Sequence, residues 1–192
     1  MCFESIWKVF KYLFIISALV SIFFLHNQPV HSATLTVTNT NDSGAGSLRQ
    51  AILEANGTAG PHTIEFNISG CSGACVIQPA SPLPALTGGD TTIDGYSQPD
   101  SAPATASSDA VIKIELDGQG LIAWNGLDIS SANNIVRGLS IHRFQGNGIW
   151  ITSSTATGNV VEGNYLGLDA GLGLYLGNGL NGILINDGAQ GN

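Results

Sequence analysis

The apolar and polar positions change rhythm along the chain. Thr34-Leu-Thr-Val-Thr38 alternates strictly, which predicts a strand over 34–38. Asn39 to Gly46 is a turn-rich loop. Leu48, Ala51, Ile52 and Ala55 then fall on one helical face, and Ser47 and Gln50 have the spacing of a capping box. A helix is therefore predicted from Ser47 to the stop at Asn56-Gly57. After it come only short β-like runs broken by Gly, Asn, Pro and Ser. The first four cover 63–68, 76–78, 91–94 and 111–116, with loops at 79–89 and 98–108.

From Gly126 onward two elements repeat. One is Gly126-Leu-Asp-Ile129, Gly148-Ile-Trp-Ile151 and Gly182-Ile-Leu-Ile185. The other is Asn134-Ile-Val-Arg-Gly-Leu-Ser-Ile141 and Asn159-Val-Val-Glu-Gly-Asn-Tyr-Leu166. They alternate, and the stretch 167–180, rich in Gly and Leu, reads as a loop inserted between strands. A period of roughly 22–25 residues holding two or three short strands is what one coil of a β-solenoid needs. Such a coil buries its apolar side chains only by stacking on the next, about 4.8 Å away. Asn134 and Asn159 then occupy equivalent corners and are expected to stack as an amide ladder. Arg137 falls at the position of Glu162, an opposite-sign pair on neighbouring coils. A leucine-rich horseshoe wants a more regular Leu ladder than these coils supply.

Composition narrows the class. Charged residues make up 10% of the chain and 25 of its 192 residues are Gly. Stacking in register explains the scarcity of charge, because it sets like charges side by side. The 43% hydrophobic content excludes a disordered acidic tail, the near absence of Lys excludes a long-helix protein, and Gly shows no collagen period. The net charge of −8 leaves no basic footprint for nucleic acid.

Lys8 and Lys11 precede an uncharged apolar run from Tyr12 to Leu25, followed by polar residues and Val30-His31-Ser32. That order predicts a secretory signal over 1–32, cleaved after Ser32 or nearby Ala33. The run is shorter than the ~20 residues a bilayer demands, so no membrane anchor is expected once the signal is removed. Export would make the product extracytoplasmic, secreted or on the cell surface. It would also permit a disulfide between Cys71 and Cys75, which is favoured over a metal site because no His stands nearby.

The stretch Thr36-Val-Thr-Asn-Thr-Asn-Asp-Ser-Gly-Ala-Gly-Ser-Leu-Arg-Gln-Ala-Ile52 resembles the N-terminal element of secreted bacterial right-handed parallel β-helix proteins. Many of these carry Ser-Leu-Arg-Glu-Ala where this chain has Ser47-Leu-Arg-Gln-Ala51. Thr92-Ile-Asp-Gly-Tyr-Ser-Gln-Pro99, Ile114-Glu-Leu-Asp-Gly118, Val136-Arg-Gly-Leu139 and Val161-Glu-Gly-Asn-Tyr165 also match that family's repeats. The resemblance covers essentially all of the chain beyond the leader. It implies an all-β, pectate-lyase-like solenoid with strand and capping helix over 33–60 and coils over 61–192. It also implies a surface or adhesin-like role. Gly191-Asn192 sits at the place of Gly158-Asn159, so the next strand is expected where the sequence stops. The sequence is thus expected to be a fragment, with further coils to follow.

Three functions fit this picture: a non-catalytic scaffold or adhesion module, a carbohydrate-active enzyme on the same fold, and a polysaccharide-binding module. An enzyme would need paired carboxylates beside a groove, or Ca²⁺ ligands with a basic residue. The candidates are Asp94, Glu115, Asp117, Asp128, Glu162 and Asp169, with His142 and Arg143. Asp94-Gly95 and Asp117-Gly118 read first as turns, and Asp169 alone is a weak Ca²⁺ candidate. No catalytic residue, cofactor or metal site is assigned. Trp124 and Trp150 are of the type that stacks on sugar rings; Trp150, which points away from Ile149 and Ile151, is the candidate sugar contact, together with His142 and Arg143 at an outward, solvated strand end. The expected partners are a polysaccharide or a host or cell-surface component.

Overall fold

The computed structural model describes residues 32–120, 123–171 and 173–192. The expected leader, Ser32 excepted, lies outside them. The described residues are predominantly β, in parallel sheets, with one α-helix. No helix among them is long and apolar enough to cross a membrane.

Among the described residues twelve strands fall into three sheets. They are β1 (Ala33–Val37), β2 (His62–Phe66), β3 (Cys75–Ile77), β4 (Thr91–Asp94), β5 (Ile114–Asp117), β6 (Leu127–Ile129), β7 (Ile135–Arg137), β8 (Leu139–His142), β9 (Ile149–Thr152), β10 (Val160–Glu162), β11 (Tyr165–Leu166) and β12 (Ile183–Asn186). The first sheet runs β1-β2-β4-β7-β10, the second β3-β5-β8-β11 and the third β6-β9-β12. From β4 onward the chain visits the sheets in the same cyclic order, adding one strand to each per circuit. Every strand pairing is parallel.

The register aligns like with like. Leu35, Ile64, Ile93, Val136 and Val161 form one apolar column. Ile77, Leu116, Ile141 and Leu166 form a second. Ile129, Ile151 and Ile185 form a third, which Leu86 extends through an isolated bridge. Most of these side chains are buried in one cluster. Each fully buried Ile, Leu or Val contributes about 1.5–3 kcal/mol of transfer free energy.

Helix α1 (Leu48–Gly57) starts where predicted: the Ser47 side chain accepts the Gln50 N–H, and Leu48, Ala51, Ile52 and Ala55 are buried. It packs on β1 and β2. Asn56 ties its end to 85–88 through Ala85 O, Thr87 N and Gly88 N.

Two expectations change. The runs 134–141 and 159–166 are each two strands in different sheets, not one element. Gly138 (φ 71°) and Gly163 (φ 59°) turn the corner between them. A Cβ on Gly138 would lie 2.6 Å from Tyr96 N, so space and backbone angle both demand glycine. The predicted strand over 111–116 begins later, at Ile114. Val111 instead makes an antiparallel bridge to Ala102 within the Ser/Ala/Pro loop.

Candidate functional site

Asparagine builds the corners. Asn134 Nδ2 donates to Asn159 Oδ1 at 2.8 Å, and Asn159 Nδ2 donates to Asn192 Oδ1 at 2.9 Å. Each carbonyl also accepts a main-chain N–H: Thr91 N on Asn134, Asn134 N on Asn159, Asn159 N on Asn192. A second ladder, not foreseen, joins Asn125, Asn147 and Asn181 in the opposite direction: Asn147 N and Nδ2 donate to Asn125 Oδ1, and Asn181 N and Nδ2 donate to Asn147 Oδ1. Its signal was present in the sequence, since each of these asparagines immediately precedes the first glycine of the Gly126, Gly148 and Gly182 repeat.

Arg137 and Glu162 are register partners, as aligned, but the ion pair forms elsewhere. Arg137 Nη2 reaches Asp94 Oδ2 at 2.8 Å, across the neighbouring strand pair. The carboxylate of Asp94 holds the Arg137 guanidinium above its usual pKa, with burial acting the other way. Arg137 Nε is buried without a hydrogen-bond partner, and Glu162 is left exposed.

Above this column lies an open groove of about 600 Å³, whose lining includes Tyr96, Tyr165, Pro103, Asp109, Arg137 and Glu162. Tyr96 Oη donates to Gly163 O at 2.6 Å, and Tyr165 Oη donates to Ala110 O at 3.1 Å. Burial raises the Tyr96 pKa, and nearby Tyr165 and Asp94 add to it. The tyrosines were not foreseen: they belong to different strand-end segments, and only the register brings them together.

The clustered carboxylates lie on the second sheet. His142 sits between Glu115 and Asp117, with Nε2 3.4 Å from Glu115 Oε2 and Nδ1 3.7 Å from Asp117 Oδ1. Arg143 binds Asp117 through Nε and Nη2, and Gln78 Nε2 donates to Asp117 Oδ2. Burial pushes the Asp117 carboxyl up. The bonds from Arg143, Gln78 and the Gln119 N–H outweigh it and leave the pKa below its ordinary value.

This face was expected to be open, and it is not. His142 does leave the sheet on the side away from Ile141, yet it is 1% exposed. The inserted segment covers it: Ser140 Oγ donates to Leu168 O, Ala170 N donates to Glu115 Oε1, and Arg143 N donates to Leu176 O. His142 is therefore buried beside Glu115 and Asp117 and away from solvent, while Arg143, paired with Asp117, keeps its head partly open to water.

Trp150 is partly buried beside Asp128 and Leu184, its register partners, and its Nε1 donates to Asn186 Oδ1 at 2.7 Å. The aromatic pair that shares a groove is Tyr96 and Tyr165, away from Trp150. Burial raises the Asp128 pKa, against the hydrogen bond from Asn125. Cys71 and Cys75 are joined in a disulfide with Cα atoms 5.3 Å apart. Among the described residues no group of three or more His, Cys, Asp or Glu side chains is arranged to hold a metal ion. The chain matches no protein-family model and no curated protein.

Proposed function

We propose that the chain is an exported, non-catalytic scaffold module built as a right-handed parallel β-helix. The observation that carries this reading is the cyclic visiting of three parallel sheets, with apolar and asparagine columns kept in register from layer to layer. That order lets each circuit bury its neighbour's apolar face. The carboxylates that come together support the scaffold role over an enzyme. Asp94, Asp117 and Asp128 are each committed to a structural partner, and Glu115 is roofed by the segment after β11. The leader and the disulfide fit an oxidising, extracytoplasmic setting.

Expression of the full sequence in a bacterial secretion host tests this. The expected product lies outside the cytoplasm and begins at Ala33 by N-terminal sequencing. Full-length protein retained in the cytoplasm would overturn export. A polysaccharide panel incubated with the product is expected to keep its chain length, and new reducing or unsaturated ends would overturn the non-catalytic role.

A second reading, a polysaccharide-binding module, is favoured by the groove at Tyr96 and Tyr165. Aromatic rings offer a flat apolar surface, and a few polar groups beside them can fix a ligand's orientation.

A further inference from the structure

The groove's bonding inventory narrows its ligand. Both tyrosine hydroxyls donate to main-chain carbonyls, so what these residues offer a ligand is ring carbon held in fixed positions and a hydroxyl oxygen that can only accept. Such preorganisation lowers the entropy cost of binding. Arg137 is already paired with Asp94. The exposed charges left on the lining are the carboxylates of Asp109 and Glu162. On the lining two acids stand with one base, and that base, Arg137, is offset by its Asp94 partner just outside the groove; the chain's net charge is already −8. An anionic sugar would meet repulsion here; a hydroxylated ring bearing a cation would meet attraction.

We propose that this groove binds an amino sugar, with a pyranose ring against Tyr96 or Tyr165 and its ammonium group held by Glu162 and Asp109. Each ammonium N–H donates to a carboxylate oxygen. The ring's apolar face and adjacent cation complement the aromatic surface. The inference rests on the polysaccharide-binding reading and adds the ligand's charge class to it.

Binding of the full exported chain to three hexasaccharides at mildly acidic pH and low salt tests it: one of glucosamine, one neutral (cellohexaose), one of galacturonic acid. The glucosamine hexamer is expected to bind tightest and to weaken with added salt. Glu162→Gln changes an exposed side chain and is expected to cost roughly threefold in affinity for that hexamer alone. Adding Asp109→Asn should bring the loss to about tenfold. Equal binding of the glucosamine and neutral hexamers, unaltered in Glu162→Gln, would overturn the amino-sugar assignment and leave glycan binding standing. Tightest binding of the galacturonate hexamer would overturn it in the same way. Binding of none of the three would overturn both readings.

Discussion

Asp117 and Asp128 show how far two aspartates diverge when their neighbours differ. The folded-state pKa of Asp117 is depressed, so its contribution to stability is present above the ordinary carboxylate value and disappears as pH falls through the folded value. Asp128 is raised. Its contribution is present below the ordinary value and is lost as pH rises through the folded one. Urea midpoints followed from neutral pH into acid should therefore fall less steeply in Asp117→Asn than in the parent. Asp128→Asn should raise the midpoint at neutral pH. Arg143→Ala removes the cation from the fully buried Asp117 carboxylate and leaves it only the Gln78 and Gln119 N–H donors. It is expected to cost about 3 kcal/mol, at the low end for a broken buried pair because the Arg143 head is partly open to water. Asn134→Ala deprives the buried Thr91 N–H of its acceptor, and the expected loss is roughly 1–3 kcal/mol by thermal melting. The corner role of Asn134 and Asn159 was legible because they recur in equivalent places. The burial of His142 was not. Alternation reports which face of a strand a residue occupies, and says nothing of what a distant segment lays over that face.

At the scale of elements, the circuits pack so closely at their corners that single atoms decide the fit. A Cβ on Gly95, just after β4, would lie 2.1 Å from Gly138 O at the turn between β7 and β8. Gly95→Ala should therefore cost about 1–3 kcal/mol, as overpacking does. In a chain of this length that lowers the melting midpoint by roughly 2–4 °C for each kcal/mol. Strand periodicity was readable in the sequence for β4 to the residue, and helix α1 from its cap and apolar face. The corners at Gly138 and Gly163 were hidden. A glycine between two apolar runs marks a bend only when φ is known, and the runs on either side look like one strand. The Arg137 partner was misread for a related reason. Register names two neighbours on opposite sides, and side-chain reach selects Asp94 over Glu162.

For the molecule as a whole, each layer depends on those beside it. β10, β11 and β12 carry exposed or partly exposed residues, whereas β5 and β8 are buried on both faces. Hydrogen exchange should accordingly be slowest through β5 and β8 and fastest through β10 and β12. Uniform protection across all layers would contradict this nearest-neighbour picture. Repetition made the layered parallel order legible from the later half of the chain. The groove was not, since Tyr96 and Tyr165 meet only because the circuit lengths between them sum to a shared side.

The asparagine ladders have a mechanical consequence. Their bonds run from layer to layer, so tension applied to the C-terminal end would load one rung at a time and leave the rungs below unstressed. Asn134 and Asn159 lie 25 residues apart, and Asn159 and Asn192 lie 33 apart. At about 3.3–3.6 Å per extended residue, the chain would lengthen in steps of roughly 80–120 Å as successive layers peel away. A tether made this way would yield in stages when pulled from that end, each layer peeling before the next gave way.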